Sequence, residues 1–340
     1  MTRPALASPP PSGWLALDGA AAAGRIAAAL RDQTLVQLRK RGIVLGLSGG
    51  IDSSVTAALA AAAVGPSRVL GVLMPENDSD PDSLRLGRLV AGALGIETVL
   101  EEIGPTLDAA GCYRRRDEAI RQVVPGFGPG WGCKLVIDAA IRQRGYTVSV
   151  LVVQDPDGRT ERHRLPAWVY QAVVAAANMK QRTRKQLEYY HADRLNYAVA
   201  GTPNRLEYDQ GFFVRNGDGA ADVKPIAHLY KTQVYALARR LGVPEEICRR
   251  PPTTDTWSLP QTQEEFYFSV DYAAMDLCLY AVDHGHTAEA AAAESGLTVA
   301  QVEQVWKDIA AKRKVARILH AGPMTIDPVT IDPVTVEAIG

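Results

Sequence analysis

Between Leu45 and Val55 the chain reads LGLSGGIDSSV. An apolar run climbs into Ser-Gly-Gly, and Asp52-Ser53-Ser54 follows at once. Gly49 and Gly50 are free to take positive φ and to turn backbone N–H groups outward with no Cβ in the way. Asp52 or Ser53 is placed to cap a following helix, whose first N–H groups are unpaired and carry the positive end of the dipole. Strand, glycine turn and helix start together make a cradle for an anion, phosphate above all. The same features also suit a plain strand-to-helix turn, so the residues alone leave both readings open. Neither a GxxxxGK loop followed by Ser or Thr nor a GxGxxG turn is present, which sets aside a Walker loop and a dinucleotide-binding turn.

Other reactive side chains carry less by themselves. Lys231, taken singly, reads as a surface charge, Asp218 as a turn residue and Glu207 as an exposed carboxylate. Cys112, Cys133, Cys248 and Cys278 are scattered without a CxxC pair, which points to reduced thiols rather than a disulfide framework or a zinc site. Cys133 has no evident base partner, and His284, His286 and Cys278 lack the spacing of a standard metal site. Phe266, Tyr267 and Phe268 suit a stack on a substrate ring, and equally a core or an interface.

These residues need a frame, and the apolar periodicity supplies one. Residues 16–40 have helical spacing and a basic end; GIVLGLS reads as a buried strand, Asp52 to Ala63 as a helix, VLGVLMP as a strand, Ser83 to Leu94 as a helix and IETVLEEI as a third strand. That alternation predicts a doubly wound, mainly parallel α/β sheet. The run from Cys112 to Leu135 reads as part helix and then irregular Gly/Pro-rich chain. Residues 147–166 read as a β-hairpin around Asp155-Pro156-Asp157-Gly158. A long helix over 168–192, a fourth strand at YAVAGTP and a helix from Lys231 to Leu241 follow. Beyond Thr287, two helices flank Ser295-Gly296.

SGGIDSS, Ser48 to Ser54, resembles the SGGxDS loop of the ATP pyrophosphatases, enzymes that cleave ATP between its α and β phosphates and hold the pyrophosphate in this loop. Residues 178–255 narrow the resemblance. An NxxxRxR helix, GTxNxxE, GDGxAD, the PIxxLxKTQ helix start and a Pro-Pro-Thr loop appear in order, and the set is similar to that of the NAD synthase family. With the first loop, the resemblance spans most of residues 16–260. It implies an adenine-nucleotide-hydrolase-like α/β fold and an ammonia-dependent amide-forming ligase that uses Mg²⁺ and ATP. The expected substrate is nicotinic acid adenine dinucleotide, with a paralogue acting on another carboxylate as the alternative.

Residue by residue, the resemblance implies that Asp52 and Glu207 hold the metal. Gly46, Ser48, Gly49, Gly50, Ser53 and Thr202 join the nucleotide site, and Arg182, Lys231 and Thr253 meet the phosphates. Lys231, Thr253, Asp218 and Asp222 form the catalytic set, the two aspartates on the side of the carboxylate and ammonia. A homodimer is implied as well. The chain shows no room for an added amidase domain, so the expected nitrogen donor is free ammonia or a separate amidotransferase that delivers it.

The hairpin at 147–166 looks like an insertion relative to compact ammonia-dependent members. The segment 253–268 departs from the family pattern at Phe266-Tyr267-Phe268, and Pro203 stands where a small or acidic residue is usual. Residues 1–12 are expected to form a loose lead-in, 13–270 the α/β domain, 271–320 a helical part, and 321–340, with its TIDPV repeat, a tail.

Composition agrees with a cytoplasmic enzyme. The 340 residues are 47% hydrophobic with a net charge of −1, so no global basic field recruits nucleic acid or an anionic membrane. AAAESGLTVAQVEQVW, followed by Lys312-Arg313-Lys314, has the cadence of a helix-turn-helix. One short basic run in a near-neutral chain favours a helical hairpin over a DNA reader.

Overall fold

The computed structural model describes residues 13–137, 149–254, 256–268 and 270–327. The lead-in expected over 1–12 and most of the expected tail lie outside these residues.

Four short strands build the central sheet: β1 (Ile43–Gly46), β2 (Val69–Leu73), β3 (Glu97–Leu100) and, later in the chain, a two-residue strand at Ala198–Val199. They are parallel, and the spatial order is β3, β2, β1 and then the late strand. The order reverses beside β1, which makes the sheet doubly wound and opens a crevice at its carboxyl edge. β1 divides its side chains between the two faces, as a strand's period of two requires. Ile43 and Leu45 pack under α1 (Gly19–Asp32) and α2 (Ile51–Val64). Val44 faces the opposite layer with Leu70, Val72 and Ala192. α3 (Pro81–Leu94) begins on Pro81 behind the Asp80 cap and ends at the left-handed Gly95, the usual proline-first, glycine-last arrangement.

After α4 (Gly104–Ala109) and α5 (Cys112–Arg121) comes a second sheet of β4 (Gly132–Ile137), β5 (Ser149–Gln154) and β6 (Thr160–Arg164), antiparallel throughout. The expected hairpin is thus two strands of three. β4 falls where irregular Gly/Pro-rich chain was expected, because its pairing with β5 is absent from any local signal. Cys133, Leu135, Leu151 and Val153 share one face and pack on α5 and on α6 (Ala167–Leu195). Val136, Val150 and Val152 occupy the other face with Leu259.

α6 runs 29 residues and covers both sheets. The fourth central strand, β7 (Ala198–Val199), leads through α7 (Arg205–Gln210), α8 (Lys231–Arg240), α9 (Glu245–Arg249) and α10 (Gln263–Phe266) to three final helices. These are α11 (Tyr272–Asp283), α12 (Ala288–Ser295) and α13 (Val299–His320). Thr287 and Thr298 cap α12 and α13, and left-handed Gly296 makes the turn between them. Ala291, Val302, Val305 and Ile309 are buried with Leu279 of α11, whereas Val315 and Ile318 in the last turns of α13 are exposed. His284 and His286 stack with Tyr280 and Trp14. No helix among the described residues is long and apolar enough to cross a membrane.

Candidate active site

A cavity of about 930 Å³ opens at the carboxyl edge of the central sheet. The loop after β1, the inner face of α6, residues 202–207 and the chain after Pro251 border it. This is where a doubly wound sheet places its ligand.

The loop itself differs from expectation in two details. Only Gly49 takes positive φ, at +74°, whereas Gly50 is extended with φ −79° and is the N-cap of α2. Asp52 and Ser53 therefore lie in the first turn and do not cap it, because the helix closes its first bond one residue earlier. Ser54 donates both its backbone N–H and its hydroxyl to the Gly50 carbonyl. Gly50 has no side chain to cap α2, which leaves first-turn N–H groups available to an anion. Gly49 is required for a second reason: a Cβ there would come within 2.5 Å of Leu86 Cβ and 2.9 Å of the Gly87 nitrogen. Ser48 and Gly50 are exposed toward the cavity, and the Ser48 hydroxyl accepts from Gly50 N at 3.3 Å and lies 3.2 Å from Ser53 Oγ.

With its capping duty removed, the Asp52 side chain turns to Lys231. The Lys231 ammonium, 1% exposed, is hydrogen-bonded to Asp52 Oδ2 and stands 3.9 Å from Glu207 Oε1. Against the cost of its own burial, Asp52 and Glu207 raise the Lys231 pKa. Burial raises Glu207 to about 7, Asp52 adding its like charge while Lys231 opposes. A carboxyl shifted this far by burial and a charge partner, on a cavity, is a candidate for a functional site.

Three residues outside the expected set hold this cluster in place. Asn204 caps α7 by accepting from Leu206 N and Glu207 N, and its amide donates to Asp52 Oδ1 at 3.0 Å. Glu207 returns the bond to Asn204 N at 3.2 Å, completing a capping box. Gln263 of α10 donates to Glu207 Oε1 at 3.0 Å. Asp276 of α11, fully buried, accepts from Lys231 N and Thr232 N at 3.2 and 2.7 Å and so caps α8 from a distance. The N-x-x-E spacing within GTPNRLE carried the Asn204 signal; Gln263 and Asp276 gave none.

The remaining expected residues divide. Gly46, Thr202, Asp218 and Thr253 line the cavity. Gly46 allows a close approach from α6, since a Cβ there would stand 2.8 Å from Glu188 Oε1. Asp218 accepts from Val214 N at 2.8 Å, and loss of solvation pushes its carboxyl up. Arg182 and Asp222 are not brought to the cavity. Arg182 is exposed and donates to the Arg215 carbonyl. Two helical residues on, about 200° around α6, Arg184 lines the cavity and donates to the Met74 carbonyl. Asp222 accepts from Val199 N and the Tyr189 hydroxyl, tying β7 to α6. Arg250, also on the cavity, pairs with Asp80.

The family model described as NAD synthase matches residues 24–124 and 159–316. A protein of Rhizobium meliloti named NH(3)-dependent NAD(+) synthetase is 66% identical over 312 residues, covering 92% of this chain and 93% of its own length. One of that name from Methanocaldococcus jannaschii is 32% identical over 282 residues, 83% and 88% of the two chains.

The chain belongs to the NAD synthase family.

Two solved structures share its fold. NMN synthetase from Francisella tularensis has a TM-score of 0.63 at 21% identity, covering 91% of this chain and 98% of its own. NH3-dependent NAD synthetase from Campylobacter jejuni has 0.59 at 21% identity, covering 92% and 100%. In this chain the donor set suits Mg²⁺. No group of three or more His, Cys, Asp or Glu side chains converges among the described residues, but Mg²⁺ takes one or two carboxylates and fills its shell with water and substrate phosphates. Asp52 and Glu207 are such a pair, already gathered around a cation, the Lys231 ammonium.

Proposed function

We propose that the chain is an ATP-dependent carbon–nitrogen ligase that converts nicotinic acid adenine dinucleotide and ammonia to NAD, releasing AMP and pyrophosphate. The observation that carries this reading is the meeting of Asp52 and Glu207, both on the cavity, around the buried Lys231 ammonium at the N-terminus of α2. Identity of 60–66% to NH(3)-dependent NAD(+) synthetases over most of the chain supports the dinucleotide over another carboxylate.

The leaving pyrophosphate sits on the first-turn N–H groups of α2 and on Ser48, Gly49, Gly50 and Ser53. Asp52 and Glu207 hold Mg²⁺, which when bound neutralises charge at the breaking bond. Lys231 adds a fixed positive charge that Asp52 orients and burial leaves unscreened. Thr202 and Thr253 border the nucleotide, and Arg184 supplies the guanidinium that Arg182 does not bring to the cavity.

A carboxylate oxygen of the substrate attacks the α-phosphorus, the bond to the bridging oxygen breaks, and pyrophosphate departs. Ammonia then attacks the acyl carbon, the bond to AMP breaks, and the nitrogen gives up a proton as the amide forms. Asp218, partly buried on the cavity, is the carboxyl on the ammonia side; Asp222 acts there only by tying β7 to α6. Both steps rest on positioning and charge.

The reading includes a homodimer and a cytoplasmic home. Half-exposed Tyr170 and Val315 at the cavity rim support the first. Four free, buried cysteines support the second. Incubating the protein with the deamido dinucleotide, Mg·ATP and ammonium chloride tests the function. Equal amounts of NAD, AMP and pyrophosphate are expected. Bound ATP with no NAD formed, and amide formed on a different carboxylate, would transfer the chain to the paralogue reading.

A further inference from the structure

The chain after Thr253 forms a small hairpin of its own. Thr253 bridges Thr262, Thr254 N donates to the Gln261 carbonyl, and the Thr254 hydroxyl meets Gln261 Oε1 at 3.1 Å. Its inner residues Thr253, Thr254, Thr256 and Trp257 line the cavity. A loop this rich in small polar residues is mobile by default, yet every residue from 256 to 261 is gripped from outside the loop. Lys180 of α6 donates to the Thr256 carbonyl at 2.8 Å. Trp257, 5% exposed, is packed among Leu135, Leu151, Val153, Val173 and Ala177. Cys133 N donates to the Ser258 hydroxyl at 2.9 Å, and Leu259 N donates back to the Cys133 carbonyl at 3.3 Å. Leu259 itself fills the outer face of the sheet against Val136, Val150 and Val152. Lys134 donates to the Pro260 carbonyl at 2.9 Å, and the Gln261 amide donates to the Leu135 carbonyl.

Nearly all of these grips come from β4 and β5. Both strands fall in 125–158, the stretch between the two segments that the family model matches. These two strands lie outside the matched segments, while β6 lies inside the second, and their outer face and the β4 main chain are spent on one cavity loop.

We propose that the β4–β5 sheet is a positioning element that holds residues 256–261, and through them Thr253 and Thr254, in place for the nucleotide before it binds. The inference rests on the nucleotide occupying this cavity, as in the reading above. A loop held in advance does not have to be ordered by the ligand, so the latch acts on nucleotide affinity. Gln261 and Lys134 are positioning residues here, since neither touches the Asp52–Lys231–Glu207 cluster.

The test compares the wild-type protein with the double variant Lys134→Ala/Gln261→Ala, using amide hydrogen exchange over 256–261 and the Kd for α,β-methylene-ATP. The wild-type Leu259 amide, which donates to the Cys133 carbonyl, should be protected without ligand and change little when the analogue is added. In the variant it should exchange at least about tenfold faster without ligand and regain protection with it, and the variant should bind the analogue about tenfold more weakly. Lys134→Arg with Gln261 kept should restore the wild-type values.

A wild-type Leu259 amide that exchanges freely until the analogue arrives would overturn the proposal. So would a variant whose loop opens while Kd stays put, or one whose loop stays closed. Should the double variant fail to fold, wild-type exchange with and without the analogue decides alone. None of these readouts needs turnover, so a protein that makes no NAD would sink the ligase reading and leave this one standing or falling on its own.

Discussion

The two sides of the cavity are held by opposite physics. On the side of β1, α2 and α8, buried charges face one another: Lys231 between Asp52 and Glu207, with Asn204, Gln263 and Asp276 supplying hydrogen bonds. On the side of β4 and residues 256–261, the buried Trp257 and hydrogen bonds to the loop do the holding, two of them from the Lys134 and Lys180 ammonium groups to loop carbonyls. Charges buried this way are costly unless each is paired, and they persist where chemistry needs a fixed field. Apolar packing and hydrogen bonds spent on loop carbonyls suit a surface that only has to be in the right place. The contrast assigns the bond-breaking step to the charged side and nucleotide affinity to the packed side.

The strongest way to break that assignment is Lys231→Ala, which should lower the adenylation rate roughly 10²–10³-fold with nucleotide still bound. Loss of binding with an unchanged rate at saturation would exchange the roles of the two sides. Asn204→Ala should be milder. It removes the α7 cap, costing about 1 kcal/mol in thermal or denaturant unfolding, and it releases Asp52, weakening divalent-ion affinity about tenfold.

The pH dependence sharpens the comparison further. Burial raises Glu207 from 4.5 to about 7, so the folded protein keeps that proton after the unfolded chain has lost it. In the metal-free protein, Glu207 therefore makes stability fall as pH rises from about 4.5 to about 7. A divalent cation needs the ionised carboxylate, so its stabilising effect in thermal unfolding should grow across the same window. A Mg²⁺ shift that is flat in pH would remove Glu207 from the ligand set. The smallest effect is expected from Arg182→Ala, an exposed residue off the cavity, with kcat/KM changed less than about twofold. Arg184→Ala, whose side chain lines the cavity, should exceed it.

The charged side was also the more legible in sequence. SGGIDSS, GTPNRLE and the Lys231 helix start are short local strings, and the alternation of strand and helix was enough to predict a parallel sheet, while its strand order came from the structure. Local reading misplaced the start of α2 by one residue. That error handed Asp52 and Ser53 a capping role that Gly50 holds, because a helix start depends on which backbone bond closes first. Arg182 and Arg184 share a motif, and only the packing of α6 decides which of them faces the cavity.

The packed side was opaque for a plain reason. Cys133 and Ser258 are 125 residues apart and Lys134 and Pro260 are 126 apart, so no window along the chain contains both partners. β4 sits behind a Gly/Pro-rich run that reads as loop until β5 is placed beside it.

Pyrophosphate–ATP exchange tests the central claim most directly, since it reports the adenylation step without ammonia. In wild-type protein, labelled pyrophosphate should enter ATP only when Mg²⁺ and nicotinic acid adenine dinucleotide are both present. Lys231→Ala should lose that exchange while still binding α,β-methylene-ATP. Exchange that needs no dinucleotide, or that survives Lys231→Ala at the wild-type rate, would contradict the account.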